Sequence, residues 1–168
     1  AFDVDNDGDL DLAFLNDEAV AADELYLNNG SGSFSQVDGA PFGTELSDFQ
    51  DAFDAGDVDG DGDIDVVIPL TTDADIYLND GTGEFTLGST VGFDGGESYH
   101  SVKFGDFDND GDLDLAVGSV SGDTVDSGFI WINDGHGNFD QGVDIVGIGH
   151  PAVLDFDHDG DLDIVAGN

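Results

Sequence analysis

The sequence predicts an all-β fold made of repeated four-stranded units, and three observations carry that expectation. A nine-residue acidic segment recurs four times, at residues 3–11 (DVDNDGDLD), 57–65 (DVDGDGDID), 106–114 (DFDNDGDLD) and 155–163 (DFDHDGDLD). Each copy is followed by an apolar run, respectively LAFL, VVIPL, LAVG and IVAG, rich in β-formers and too short for a helix. A glycine-rich motif then follows in three copies, at residues 28–34 (NNGSGSF), 79–85 (NDGTGEF) and 133–139 (NDGHGNF). Asn-Gly and Asp-Gly steps between apolar runs are hairpin signals, because these residues tolerate positive φ.

Taken in chain order, one period reads as strand, acidic loop, strand, variable loop, strand, glycine-rich hairpin, strand. The strand before the loop is visible at residues 101–105 (SVKFG) and 152–154 (AVL). The strand after the loop is the short apolar run. The third is the LYL, IYL or IWI stretch ahead of the hairpin, and the fourth begins at Phe34, Phe85 or Phe139. About fifty residues with four strands is the size of one β-propeller blade. A sandwich also accommodates many short strands, but strict repetition of one unit favours radial or linear stacking. The repeats are assigned to residues 1–48, 49–98, 99–148 and an incomplete 149–168. The expectation is therefore a partial propeller of three and a fraction blades, an open arc whose apolar end faces make the isolated segment prone to associate. The chain has no Met and opens inside a motif, which reads as a piece of a longer protein.

Within each acidic loop, Asp occupies positions one, three, five, seven and nine, Gly position six, and apolar residues positions two and eight. Calcium takes six to eight oxygen ligands, which such a loop supplies as carboxylates at one, three, five and nine and a backbone carbonyl at seven. Gly8, Gly62, Gly111 and Gly160 permit the sharp turn, and Asn6, Gly60, Asn109 and His158 at position four are residue types suited to positive φ. Val4, Val58, Phe107 and Phe156, with Leu10, Ile64, Leu113 and Leu162, are expected to anchor the loops to the core. An EF-hand shares the first half of this pattern but needs a carboxylate at position twelve and flanking helices. Position twelve here is Phe14, Ile68, Val117 or Ala166, so the EF-hand and dockerin readings fail.

The DxDxDGxxD loop followed by a short strand, in tandem units of about fifty residues, resembles the FG-GAP/VCBS repeats, relatives of the calcium-loaded blades of integrin α-subunit propellers. The resemblance covers essentially the whole chain. It implies propeller blades with up to four Ca²⁺, each in the loop between the innermost strand and the next. Carried over, the ligands are Asp3, Asp5, Asp7, Asp9 through its carbonyl, and Asp11; Asp57, Asp59, Asp61, Asp63 and Asp65; Asp106, Asp108, Asp110, Asp112 and Asp114; and Asp155, Asp157, Asp159, Asp161 and Asp163. The integrin pattern places Gly-Ala-Pro after the strand that follows the loop, whereas the only such triplet here, residues 39–41, lies in the outer part of a blade. The VCBS type is thus the nearer likeness, and integrin-like ligand recognition is not inherited.

Forty acidic residues face a single basic one, Lys103, for a formal charge of −39. Nucleic-acid binding needs clustered Lys and Arg and is excluded, as is attraction to an anionic membrane surface. No stretch is apolar enough to insert in a bilayer as a helix. With no Cys there is neither a disulfide framework nor a thiolate chemistry. Half of the acids lie outside the loops, which points to a salt-loving source, the alternative being an acidic secreted bacterial repeat protein.

Catalytic groups are expected to break the repeat. Trp131 does not, since it aligns with Tyr26 and Tyr77 and reads as blade packing. His100, Lys103, Glu97 and Tyr99 before the third loop, and His150 before the fourth, have no counterparts and are the candidates for a ligand site at a central channel. No Ser/His/Asp arrangement, phosphate loop or HExxH helix is present. The reading favours a non-catalytic, calcium-stabilised extracellular module for adhesion or recognition, with the remainder of its own propeller and a protein or glycan as partners. The alternative is a propeller segment of a secreted carbohydrate-active enzyme resembling a polysaccharide lyase.

Overall fold

A computed structural model describes residues 1–15, 23–39, 41–42, 53–70, 72–92, 99–119, 127–147 and 149–167, without the side chains of residues 99, 100, 119, 127 and 167. Among the described residues there are thirteen strands and no helix. The first sheet holds β1 (Leu12–Phe14), β2 (Glu24–Asn28) and β3 (Phe34–Gln36), and Phe2 bridges antiparallel to Asp11 at its inner edge. The second runs β4 (Asp54–Gly56), β5 (Asp65–Pro69), β6 (Asp73–Asn79) and β7 (Phe85–Gly92) in sequential order. The third repeats this with β8 (Tyr99–Gly105), β9 (Asp114–Ser119), β10 (Ser127–Asn133) and β11 (Phe139–Val146). The last has β12 (His150–Leu154) and β13 (Asp163–Gly167), which does not join the sheet of β1. All pairs are antiparallel, and the two complete sheets are four-stranded meanders of the kind that make propeller blades.

The hairpin signals set the register. Asn79 pairs with Phe85 and Asn133 with Phe139, leaving five residues in each turn. The turn glycines Gly81, Gly83, Gly135 and Gly137 hold φ between +73° and +84°, the left-handed region that a Cβ disfavours. One bulge in each complete outer pair, between Ile76 and Tyr77 and between Phe129 and Trp131, adds twist at the same place in both sheets.

Sheets pack face to face, with alternate residues of each strand serving opposite neighbours. Val66 and Ile68 of β5, with Phe42, form one core against Phe2, Ala13 and Leu15 of the first sheet. Val67 points the other way and joins Ala74, Ile76, Val102, Leu115 and Val117 in a second core between the second and third sheets. This is why β5 is buried at all five positions, as expected of a strand covered on both faces. Trp131 packs against the second core and Tyr77 against the first. The expected loop anchors divide. Val4 and Val58 are buried, but Leu10 and Phe156 are 62% and 70% exposed. They lie on the outward faces of the first and last sheets, where no neighbouring sheet covers them.

Candidate metal centre

Every acidic loop folds in the same way because its carboxylates bind its own amides. The Asp at position one accepts from the glycine N–H at position six in each: Gly8 to Asp3 at 2.9 Å, Gly62 to Asp57 at 3.1 Å, Gly111 to Asp106 at 3.1 Å and Gly160 to Asp155 at 3.2 Å. The Asp at position five accepts from the amide at position seven, as in Asp9 to Asp7 and Asp63 to Asp61, both 2.9 Å. The turn requires φ of +91° to +101° at the glycine and +58° to +77° at position four, met by Asn6, Gly60, Asn109 and His158.

These turns gather carboxylate oxygens. Asp3, Asp5 and Asp11 bring one oxygen each to within 4.8 Å of one another, as do Asp57, Asp59 and Asp61; Asp106, Asp108 and Asp114; and Asp155, Asp157 and Asp163. Three loops thus converge positions one, three and nine, and the second converges one, three and five. Asp7, Asp110 and Asp159 at position five, and Asp65 at position nine, stand outside the triads although the sequence assigned them as ligands. Asp9, Asp63, Asp112 and Asp161 at position seven are also outside the triads. The donor set is all hard oxygen, which suits Ca²⁺ or Mg²⁺ rather than a soft metal. Asp5 Oδ1 and Asp155 Oδ1 are buried without a hydrogen-bond partner, and such an oxygen is costly to leave unsatisfied unless a cation completes it. The carboxyls of Asp5 and Asp59 are held above the ordinary range, first by burial and further by neighbouring acids.

Position nine has a second duty that the sequence did not reveal. Asp65 is fully buried and accepts from Val58 N–H and Asn79 N–H, both 2.9 Å. Asp11 does the same with Val4 (2.8 Å) and Asn28 (2.7 Å), and Asp114 with Phe107 and Asn133 (both 2.9 Å). Each therefore pins the acidic loop to the hairpin of its own sheet. Burial outweighs these two bonds and pushes Asp65 up to about 6, and Asp114 is raised for the same reason.

Neighbouring units are tied through the loops. The first asparagine of the second and third hairpins reaches the loop of the unit before: Asn79 Nδ2 donates to Val4 O and Asn133 Nδ2 to Val58 O, both at 2.7 Å. Position four reaches forward. Asn6 Nδ2 donates to Asp63 Oδ1 at 2.5 Å and Asn109 Nδ2 to Asp161 Oδ1 at 2.9 Å, whereas Gly60 has no side chain to make the equivalent bond. The signal for these ties was present in the sequence as an asparagine repeated at residues 28, 79 and 133, but an Asn-Asp-Gly step reads first as a turn.

Of the candidates for a separate ligand site, Lys103 and His150 have described side chains. Lys103 Nζ lies 3.3 Å from Asp54 Oδ1, whose other oxygen accepts from Phe104 N–H at 2.9 Å, so the single base fastens β8 to β4. His150 is exposed at the start of β12. Glu97 lies outside the described residues, as do the side chains of Tyr99 and His100.

Antiparallel sheets that each carry an acidic, glycine-turned loop between the first two strands define a β-repeat protein with candidate cation sites. The chain belongs to the FG-GAP-like repeat family, which it matches over residues 3–68 and 71–117. A comparison with curated proteins gave no match.

Proposed function

We propose that this chain is a calcium-stabilised stretch of β-propeller, three and a fraction blades long, acting as a non-catalytic extracellular module for adhesion or recognition of a protein or glycan, with further blades of its own propeller as neighbours. The observation that carries the reading is the convergence of a carboxylate triad in each of four loops. At each site the carbonyl of position seven and water complete the oxygen shell. The residual acidity, twenty acids outside the loops against one base, supports a role in concentrated salt. The ion is tested by terbium luminescence and calorimetry: calcium should displace terbium from up to four sites, and magnesium should compete poorly because it demands a smaller, stricter shell. Thermal melts should show a higher midpoint in calcium than in chelator; equal midpoints would remove calcium from the proposal. A glycan array read with and without calcium tests recognition, and binding that ignores calcium would detach it from the loops.

A further inference from the structure

Hydrogen bonds link the acidic loops to one another. Between the first two units, position four of one loop holds position seven of the next: Asn6 Nδ2 donates to Asp63 Oδ1 at 2.5 Å. The Asp63 carboxylate also lies against its own hairpin, where it fills the place of a Cβ on Gly81. Its amide in turn donates to Asp61 Oδ1 at 2.9 Å, and Asp61 belongs to the second carboxylate triad with Asp57 and Asp59. Asn6 itself follows Asp5, a member of the first triad. A continuous path of hydrogen bonds therefore leads from one candidate cation site into the next.

A second tie runs beside it. The buried side chain of Asn79 donates to Val4 O in the first loop at 2.7 Å and to Ile64 O in the second at 3.2 Å. Its main-chain N–H holds Asp65, so one residue fastens both loops. Asn133 does the same for the second and third loops, through Val58 O at 2.7 Å and Leu113 O at 3.0 Å. The two seams differ at position four. A Cβ on Gly60 would point at Gly135 O, 3.8 Å away, and the Asp112 carboxylate lies against Gly135. Glycine has nothing with which to reach it, so the first seam has both ties and the second has one.

We propose that the first and second loops load calcium cooperatively through Asn6, and that this coupling is weaker between the second and third. It rests on calcium being the ion of these loops. A loop that closes on an ion gives up conformational freedom, and a loop whose Asp61 and Asp63 are already held gives up less. The coupling is reciprocal: the factor by which an ion in the first loop favours the second is the factor by which the second favours the first. Such couplings are typically about 5–150-fold, and one exposed hydrogen bond belongs at the low end, about five-fold. Charge acts in the opposite sense, because an ion in one loop repels an ion in the next. Salt at about 1 M confines that repulsion to a screening length of about 3 Å.

Calcium titrations of the full chain in about 1 M KCl, followed by NMR at the amides of Gly8, Gly62 and Gly111, report each loop separately. Each of these amides donates to position one of its own loop. Asp5→Ala removes a carboxylate from the first triad and leaves Asp3 to hold the turn. Half-saturation of the second loop should then need about five-fold more calcium. Asp59→Ala should weaken the first loop by the same factor and the third by less. Asn6→Gly copies the residue found at position four of the second loop and changes no charge; in that background Asp5→Ala should leave the second loop unmoved. Gly60→Asn should create the missing link, so that Asp59→Ala now weakens the third loop about five-fold. Circular dichroism establishes that the variants fold, and Asp5→Asn with Asp59→Asn provides an isosteric second pair. A second loop indifferent to Asp5→Ala, or shifted equally with Asn6→Gly present, would overturn the coupling and leave calcium binding standing. Glycine amides that ignore calcium altogether would overturn the calcium reading itself, and the coupling with it.

Discussion

Asp65 shows how one side chain serves folding and chemistry at once. Its two oxygens hold the amides of Val58 and Asn79 in a site closed to bulk solvent. Asp65→Ala orphans both donors, and at about 1–3 kcal/mol for each buried group the expected loss is about 2–6 kcal/mol. Urea unfolding against the exposed control Asp140→Ala measures it, and equal midpoints would contradict the assignment. The same residue sets a pH dependence. Its carboxyl is pushed up to about 6 in the fold from 3.8, so between those values the folded chain binds more protons than the unfolded one. Stability without divalent ions should therefore fall as pH rises from about 4 to about 6. Calcium needs the deprotonated loop, so stability with calcium present should rise over the same window. Melts at both ends of the window, with calcium and with chelator, should show the two opposite slopes.

At the scale of the element, the strands were legible because their period, their β-formers and the glycine turns all agreed. The four loops were legible because a five-Asp pattern at alternate positions leaves few other readings. What the sequence did not disclose is the division of labour inside the loop. Position nine was assigned to the ion and is also the staple to the hairpin, and position seven turns its side chain toward the preceding loop or its own hairpin. Both facts depend on which amides a carboxylate meets, and no one-dimensional pattern records that. The gap at Gly60 yields a sharp expectation. Its φ of +77° is near those of Asn6 and Asn109, and a Cβ there would meet only Gly135 O at 3.8 Å. Gly60→Asn should fit, reach Asp112 as Asn6 reaches Asp63, and stabilise the chain by about 0.5–1.5 kcal/mol, with part of the gain from a less flexible unfolded state. A lower denaturation midpoint for this variant would show that the seam is built differently.

For the whole molecule, charge is the dominant liability. Four bound Ca²⁺ would cancel eight of the thirty-nine negative charges, and the remainder repel across the whole surface. Each site, with a dissociation constant of about 0.1–1 mM, would add about 1.4–2.7 kcal/mol at about 10 mM calcium. The screening length falls from about 10 Å at 0.1 M salt to about 3 Å at 1 M. With calcium saturating, the chain should therefore unfold at a higher temperature in 3 M than in 0.1 M KCl. Coincident transitions would remove the link to concentrated salt.

The hairpin asparagines make their reach across the seam to main-chain oxygens, those of Val4 and Val58. A carbonyl is the same whatever side chain it carries, so the bond imposes no demand on the identity of the residue in the unit before. Other contacts across the seam do depend on residue type, such as Asn6 to Asp63, Asn109 to Asp161 and Lys103 to Asp54. A gene encoding such units can lengthen, shorten or shuffle by whole copies and keep the asparagine bond, leaving only these side-chain pairs to be matched again at the new junction.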